Sequence, residues 1–266
     1  RDVLGSRGLG DVYKRQAYYL GTAEDDLLRA IKKIDFRSGD DAGYQYIAHN
    51  KKHILEEVYL CHVARRLNTD NHMVLLPLRE VLTTPNPFSS FLADHQISFE
   101  KSLQGIDVLV YRGEHIEWWK STNVGFNPAR FKSRLTKDFC INGFQFLYDI
   151  TNSAQPDYNL YSYAPEFLQD LDYLLGTQLV NDFRAESQTF VALCRVPKAK
   201  IVFDYNADDG RFEERYIYSA LSYIWEYCYS KNEQVRKGYN CMLRALDDYT
   251  VHIERWVLEE EIECQR

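Results

Sequence analysis

The 266-residue chain has no Cys-x-x-Cys pair, no internal repeat and no low-complexity tract, and residues 17 to 266 contain no Walker or Gly-x-Ser-x-Gly sequence. It also lacks any apolar run near the ~20 residues that a membrane-crossing helix needs. The longest runs, such as Met73–Leu78, are strand-sized, so no membrane partner is expected. With 32 basic against 39 acidic residues there is no positive excess to drive non-specific nucleic-acid binding. Six cysteines (Cys61, Cys140, Cys194, Cys228, Cys241, Cys264) lie scattered among mostly apolar neighbours. That pattern argues against a structural zinc site or a redox motif and predicts reduced core thiols in a cytoplasmic protein. What the chain does have is 45% apolar residues over a length that can bury a proper core.

Ser6–Gln16 resembles the in-frame translation of a sequencing-library adaptor. Residues 1 to 16 are therefore expected to be an artefact outside the fold, packing against nothing, with the natural amino terminus missing and residues 17 to 266 forming a single α+β domain. They hold four basic and two acidic residues, so the remainder is more acidic still. Gly5–Gly10 imitates a phosphate loop but follows no strand, and is discounted.

Helical spacing predicts a helix from Thr22 to about Asp35, a second from about His49 to Leu67, and another over Pro128–Tyr148 up to Gly143. Met73–Leu82 reads as a strand bent at Pro77, Thr83–Ser90 as loop, and Ile97–Leu103 as a short helix or turn. Ile106–Tyr111 is dense in β-formers and reads as a strand. A helix opened by Pro165 and closed by Gly176 follows, then strands at Thr189–Val196 and Lys200–Tyr205, and aromatic-rich helices at Arg211–Ser230 and Asn232–Asp248. Val251–Ile262 is open between strand and helix. The expected fold class is α+β, with a small mixed sheet, several packed helices and a helix-rich last third.

The segment most suggestive of chemistry runs from Asp107 through Tyr111-Arg112-Gly113-Glu114 to Trp119 and Lys120. Arginine at a strand end can grip a phosphate or carboxylate in two places, and glycine lets a backbone or ligand approach. This block resembles the FRG domain family, named for an aromatic-Arg-Gly motif followed by an acidic or amide residue and a tryptophan. Gly176, Thr177, Leu179, Asp182 and Val191-Ala192-Leu193 echo the family's second block in order, so that residues 106 to 195 are covered. Family members usually carry a histidine before that glycine and an arginine after the threonine, where this chain has Leu174-Leu175 and Gln178. The spacing from Asp182 to Val191 is also longer than in the family. If the missing pair is chemical, this copy is inactive.

The resemblance implies an anion or nucleotide pocket formed by Arg112, Glu114, Trp119, Thr177 and Asp182. An Arg-Gly at a strand end is also shared by ADP-ribosyltransferases, which implies NAD as the cofactor to test. Glu213, Glu214 and Glu254 are the available carboxylates for that chemistry, and Ser121-Thr122 the hydroxyl pair.

Two alternatives use other residues, beside a purely non-catalytic binding or structural module. Asp107, Glu117 and Lys120, with Glu56 or Glu57, resemble a metal-dependent nuclease set, but the acid normally found two residues before the lysine is replaced by Trp118. His49, His53, Glu57 and Cys61 fall at i+4 steps on the second expected helix. They lack the remaining ligands of a metal site, so no metal is expected. Substrate, partners and oligomeric state are not legible.

Overall fold

The structure, a computed structural model, describes residues 9–36, 41–102, 105–137, 140–147, 150, 162–204, 210–229 and 240–258. Helices α1 (Leu9–Leu20), α2 (Glu24–Ile31) and α3 (Ala42–Asn50) precede a long strand β1 (Glu57–Leu67) and a short β2 (Val74–Leu75). Helices α4 (Leu78–Thr83) and α5 (Pro87–Asp94) lead into β3 (Ile97–Ser102), β4 (Gly105–Tyr111) and β5 (Glu114–His115). Then come α6 (Pro128–Thr136), β6 (Asn142–Phe144), α7 (Glu166–Leu175), α8 (Leu179–Ala185), β7 (Ser187–Pro197) and β8 (Ile201–Phe203). The order closes with α9 (Phe212–Tyr229), β9 (Met242–Ala245) and β10 (Val251–Leu258).

The fold is α+β, as the irregular order of elements predicts. Its sheets are antiparallel at every described pairing rather than mixed, with one of seven strands in the order β2-β10-β7-β1-β6-β9-β8 and one of three in the order β3-β4-β5. The last third is less helical than expected. Met242–Ala245 is strand, not helix, while residues 232–239 of that expected helix lie outside the described residues.

β1 and β7 form the axis of the large sheet, paired without interruption from Glu57↔Pro197 to Leu67↔Ser187. The helix expected over His49–Leu67 is replaced by this strand because the strand is covered on both faces. Val58 and Leu60 join one apolar cluster with Ala192, Cys194 and Val196, and Cys61 and Val63 join another with Val191 and Leu193. A strand buried on both sides loses the alternation that would mark it, and its apolar run reads as a helix. The same region ends the proposed histidine stripe: His49 is on α3, His53 lies in a loop stacked 4.3 Å from Tyr18, and Glu57 and Cys61 are on β1.

Where β1 meets β6 the register is Cys61↔Phe144, and Gly143 lies so close that an added Cβ would stand 2.7 Å from the Cys61 carbonyl oxygen. Gly143→Ala is therefore expected to cost about 1–3 kcal/mol through overpacking against backbone. Urea unfolding measures it, and an unchanged midpoint would show that β6 can move away freely.

Helices α1, α2, α3 and α9 build a second core, with Leu20, Leu27, Ile31, Ile47, Ile217, Leu221 and Ile224 each at most 1% exposed. Val12 and Tyr13 pack against it and Gln16 is 3% exposed, contrary to the expectation that residues 1 to 16 touch nothing. The reason is continuity: Val12, Tyr13, Gln16, Ala17 and Leu20 share one face of a single helix.

The remaining elements, α4 to α8 with the small sheet, enclose a third core around Phe91, Phe131, Phe167, Leu168, Leu171 and Phe183, into which Leu67 at the end of β1 also projects. Three expectations fail in this region. The loop-like Thr83–Ser90 contains the start of α5, where the Asn86 side chain accepts from Ser89 N at 3.0 Å, Ser89 Oγ accepts from Asn86 N at 3.0 Å, and Pro87 takes the first turn. Ile97–Ser102 is strand instead of helix or turn, with Ile97 and Phe99 inward and Ser98 and Glu100 outward. Only Val74–Leu75 of the expected Met73–Leu82 strand is extended, because Pro77 opens α4.

Candidate functional site

Arg112 and Gly113 are the two central residues of the β4–β5 hairpin, with φ of +53° and +81°, and Tyr111 pairs with Glu114 across them. A two-residue turn of this kind requires left-handed backbone at both positions, so Gly113 serves the turn; the space beside it is open. The Arg112 guanidinium is exposed, lies 4.9 Å from the centre of the Tyr111 ring, and forms no ion pair among the described residues. Its backbone N–H donates to Gln96 O at 2.9 Å, and the adjacent His95 places Nε2 3.3 Å from Asp182 Oδ2. Arg112 and Asp182 are thus joined through two residues on one exposed surface.

The other members of that set have local duties. Thr177 donates to Asp172 Oδ1 at 2.7 Å, and the same oxygen accepts from Leu179 N at 2.9 Å, so the pair fixes the start of α8. Glu114 is exposed on β5. Trp119, 54% exposed, packs edge-on against Trp118 above an open groove bounded by Pro128, Ala129 and Lys132.

Of the nuclease set, Glu117 pairs with Lys120 at 2.8 Å on the surface and Glu57 faces Arg195 at 3.7 Å in the other sheet, while the Asp107 side chain lies outside the described residues. No group of three histidine, cysteine or carboxylate residues suited to a metal occurs among the described residues.

Glu213 is committed to structure. It accepts from Leu55 N at 2.8 Å and meets Lys198 at 2.9 Å and Lys51 at 3.1 Å. Burial alone would raise its pKa, but these donors outweigh it and hold the carboxyl below its usual range. Glu213→Ala should cost about 1–3 kcal/mol at pH 7 by stranding those donors. Because the folded pKa is the lower one, the stabilisation is full above the unfolded value of about 4.3 and fades as pH falls through the folded value. Unfolding curves of both forms from pH 7 to pH 3 test this; a gap that stays constant with pH contradicts it.

A cavity of about 360 Å³ lies elsewhere, between β1 and β2 on one side and α4, α5, α7 and Phe183 on the other. Its walls are mostly apolar (Leu75, Leu78, Val81, Phe88, Phe167), and a neighbouring space of about 220 Å³ shares His62 and Cys140 with it. His62 projects from the middle of β1. Its Nδ1 is 2.6 Å from the Asn142 carbonyl oxygen; a carbonyl only accepts, so Nδ1 carries the proton. The neutral ring therefore has its lone pair on Nε2, and no described residue hydrogen-bonds that atom. Burial, with Arg66 adding to it, outweighs the Asn142 bond and lowers the His62 pKa, so the ring stays neutral at pH 7.

The charged groups around the cavity are largely occupied. Arg65 donates to Ser187, Thr189 and the carbonyls of Ser162 and Arg184. Arg66 spans Asp70 (Nε to Oδ2, 2.7 Å) and the His72 carbonyl (2.9 Å), with its guanidinium 4.4 Å from the Trp256 ring centre. Cys140 Sγ donates to Asn142 Oδ1 at 3.3 Å, so His62 and Cys140 are both anchored on Asn142.

Sequence reasoning missed this site because His62 sat inside a misread helix. A signal was present in Asn68-Thr-Asp-Asn-His72, a polar cluster that ends the apolar run as a turn between strands does. No family model, no curated protein and no solved structure matches the chain.

Proposed function

We propose that the chain binds a small, mainly apolar molecule carrying an O–H or N–H donor in the cleft beneath α4 and α5, with His62 Nε2 as the acceptor. The observation that supports it is the His62 Nε2, unpartnered among the described residues, in a mostly apolar concavity, the usual composition of a small-molecule site. Phenol and toluene, alike in shape but differing in the donor, are the probes. Phenol should bind wild type roughly tenfold more tightly, and His62→Leu should abolish the difference, since a hydrogen bond in such a site contributes on the order of 1.5 kcal/mol. Equal affinity of phenol and toluene for wild type, or no binding of either, overturns the reading.

A second reading keeps Arg112 as an anion clamp for a nucleotide, following the FRG-like residues. Its support is the guanidinium, without an ion pair among the described residues, beside the His95–Asp182 contact. On this reading NAD raises the melting temperature of wild type, while Arg112→Ala and Arg112→Lys both lose the effect because the planar fork is gone. Equal shifts in all three proteins remove it.

A further inference from the structure

The cleft beneath α4 and α5 is long and narrow. Residues 62–67, successive positions of one extended strand, all line it. At about 3.3 Å per residue it therefore follows β1 for about 16 Å. Its volume of about 360 Å³, spread over that length, leaves a cross-section of roughly 22 Å², the width of one hydrocarbon chain or of one flat ring seen edge-on. At one end stands His62, whose Nε2 has no hydrogen-bond partner among the described residues and is not sealed from the cleft. Beyond His62, the adjoining space of about 220 Å³ is walled in part by Asn142 and the Arg134–Glu166 ion pair, polar groups that hydrocarbon would strip of water without replacing it. In the other direction the wall is mainly hydrocarbon, from Leu75, Leu78, Val81, Phe88 and Phe183. The Arg66–Asp70 ion pair and His72, whose side chain is 55% exposed, stand where the cleft meets solvent.

We propose that the ligand of this cleft is a straight-chain primary alcohol of about ten carbons, an inference that rests on His62 Nε2 being the acceptor of a ligand donor. The hydroxyl donates to that nitrogen, and the chain lies along residues 64–67 toward His72. β1 pairs with β7 in unbroken register, so alternation puts His62 and Arg66 on one face of the strand. They are four steps or about 13 Å apart, the span of about ten methylene groups at roughly 1.3 Å each. A phenol ring fills only the His62 end of this path, so the longer alcohol buries apolar area that phenol leaves unused. A chain longer than the path carries its last carbons past Arg66, Asp70 and His72 into water, where they contribute nothing.

The test titrates the full chain with 1-hexanol, 1-octanol, 1-decanol and 1-dodecanol and follows the imidazole resonances by NMR, which needs no variant to fold. Affinity should rise about fourfold for each methylene added from hexanol to decanol, and dodecanol should bind no more than about twofold better than decanol. Hexanol should shift the His62 ring and leave His72 unmoved, whereas decanol should shift both. 1-Adamantanemethanol, of similar carbon count but folded into a cage, should bind at least about tenfold more weakly than decanol because it overfills the cleft. His62→Leu should weaken all four straight-chain alcohols by one common factor of about ten. The inference is overturned if affinity keeps climbing fourfold per methylene through dodecanol, if decanol binds no tighter than hexanol or leaves His72 unmoved, if the cage alcohol matches decanol, or if His62→Leu binds the series as tightly as wild type. Phenol that still binds wild type more tightly than toluene in any of those cases leaves the ligand reading standing and removes only the chain; equal binding of phenol and toluene removes both.

Discussion

Replacing Arg130 with alanine is expected to cost the fold about 3–5 kcal/mol, the usual loss when a buried charge is stripped of its partner. Asp170 on α7 is 0% exposed, and the guanidinium of Arg130 on α6 grips both its oxygens, with Nε 3.1 Å from Oδ2. No other described residue bonds that carboxylate. Arg130 itself is 42% exposed, so alanine there opens no cavity, and the loss would be electrostatic. Asp170→Leu should cost much less, because the freed guanidinium can turn to water while leucine joins the surrounding apolar core. Urea unfolding of the two variants decides it; an equal loss in both would mean that packing, not the unpaired carboxylate, governs this helix pair.

The second large effect is expected at Phe131→Ala, again about 3–5 kcal/mol. Phe131 is 0% exposed and stacks on Phe167 at 5.2 Å with an interplanar angle of 9°, while Trp118 and Phe126 meet it edge-on at 5.5 and 5.4 Å. Since Phe167 also forms a wall of the cleft, the cavity left by alanine should loosen ligand binding as well as the fold. A loss below 1 kcal/mol in thermal or urea unfolding would show that the neighbouring rings collapse into the gap.

The parts of the fold legible in the sequence are those punctuated locally. Pro165 and Gly176 bracket α7, and Gly176 adopts the left-handed cap with φ of +62°. Pro197 marks the break between β7 and β8, and the run of β-formers before Arg112 announces β4. The illegible parts depend on partners far along the chain. Glu57–Leu67 becomes a strand because Ser187–Pro197 lies beside it and apolar residues cover both faces, neither of which its own eleven residues report. The site shows the same division. Arg112 stood out by its local motif, whereas the anchoring of His62 on Asn142, eighty positions away, exists only once β6 is folded against β1.

The most direct measurement of the central claim is the protonation and tautomeric state of His62, read from long-range ¹H–¹⁵N correlations of its ring at pH 7. The account predicts a neutral ring with its proton on Nδ1, an unprotonated Nε2, and a shift of that Nε2 resonance when phenol is added. An imidazolium at pH 7, or a neutral ring protonated on Nε2, would leave His62 with no acceptor at Nε2 and contradict it.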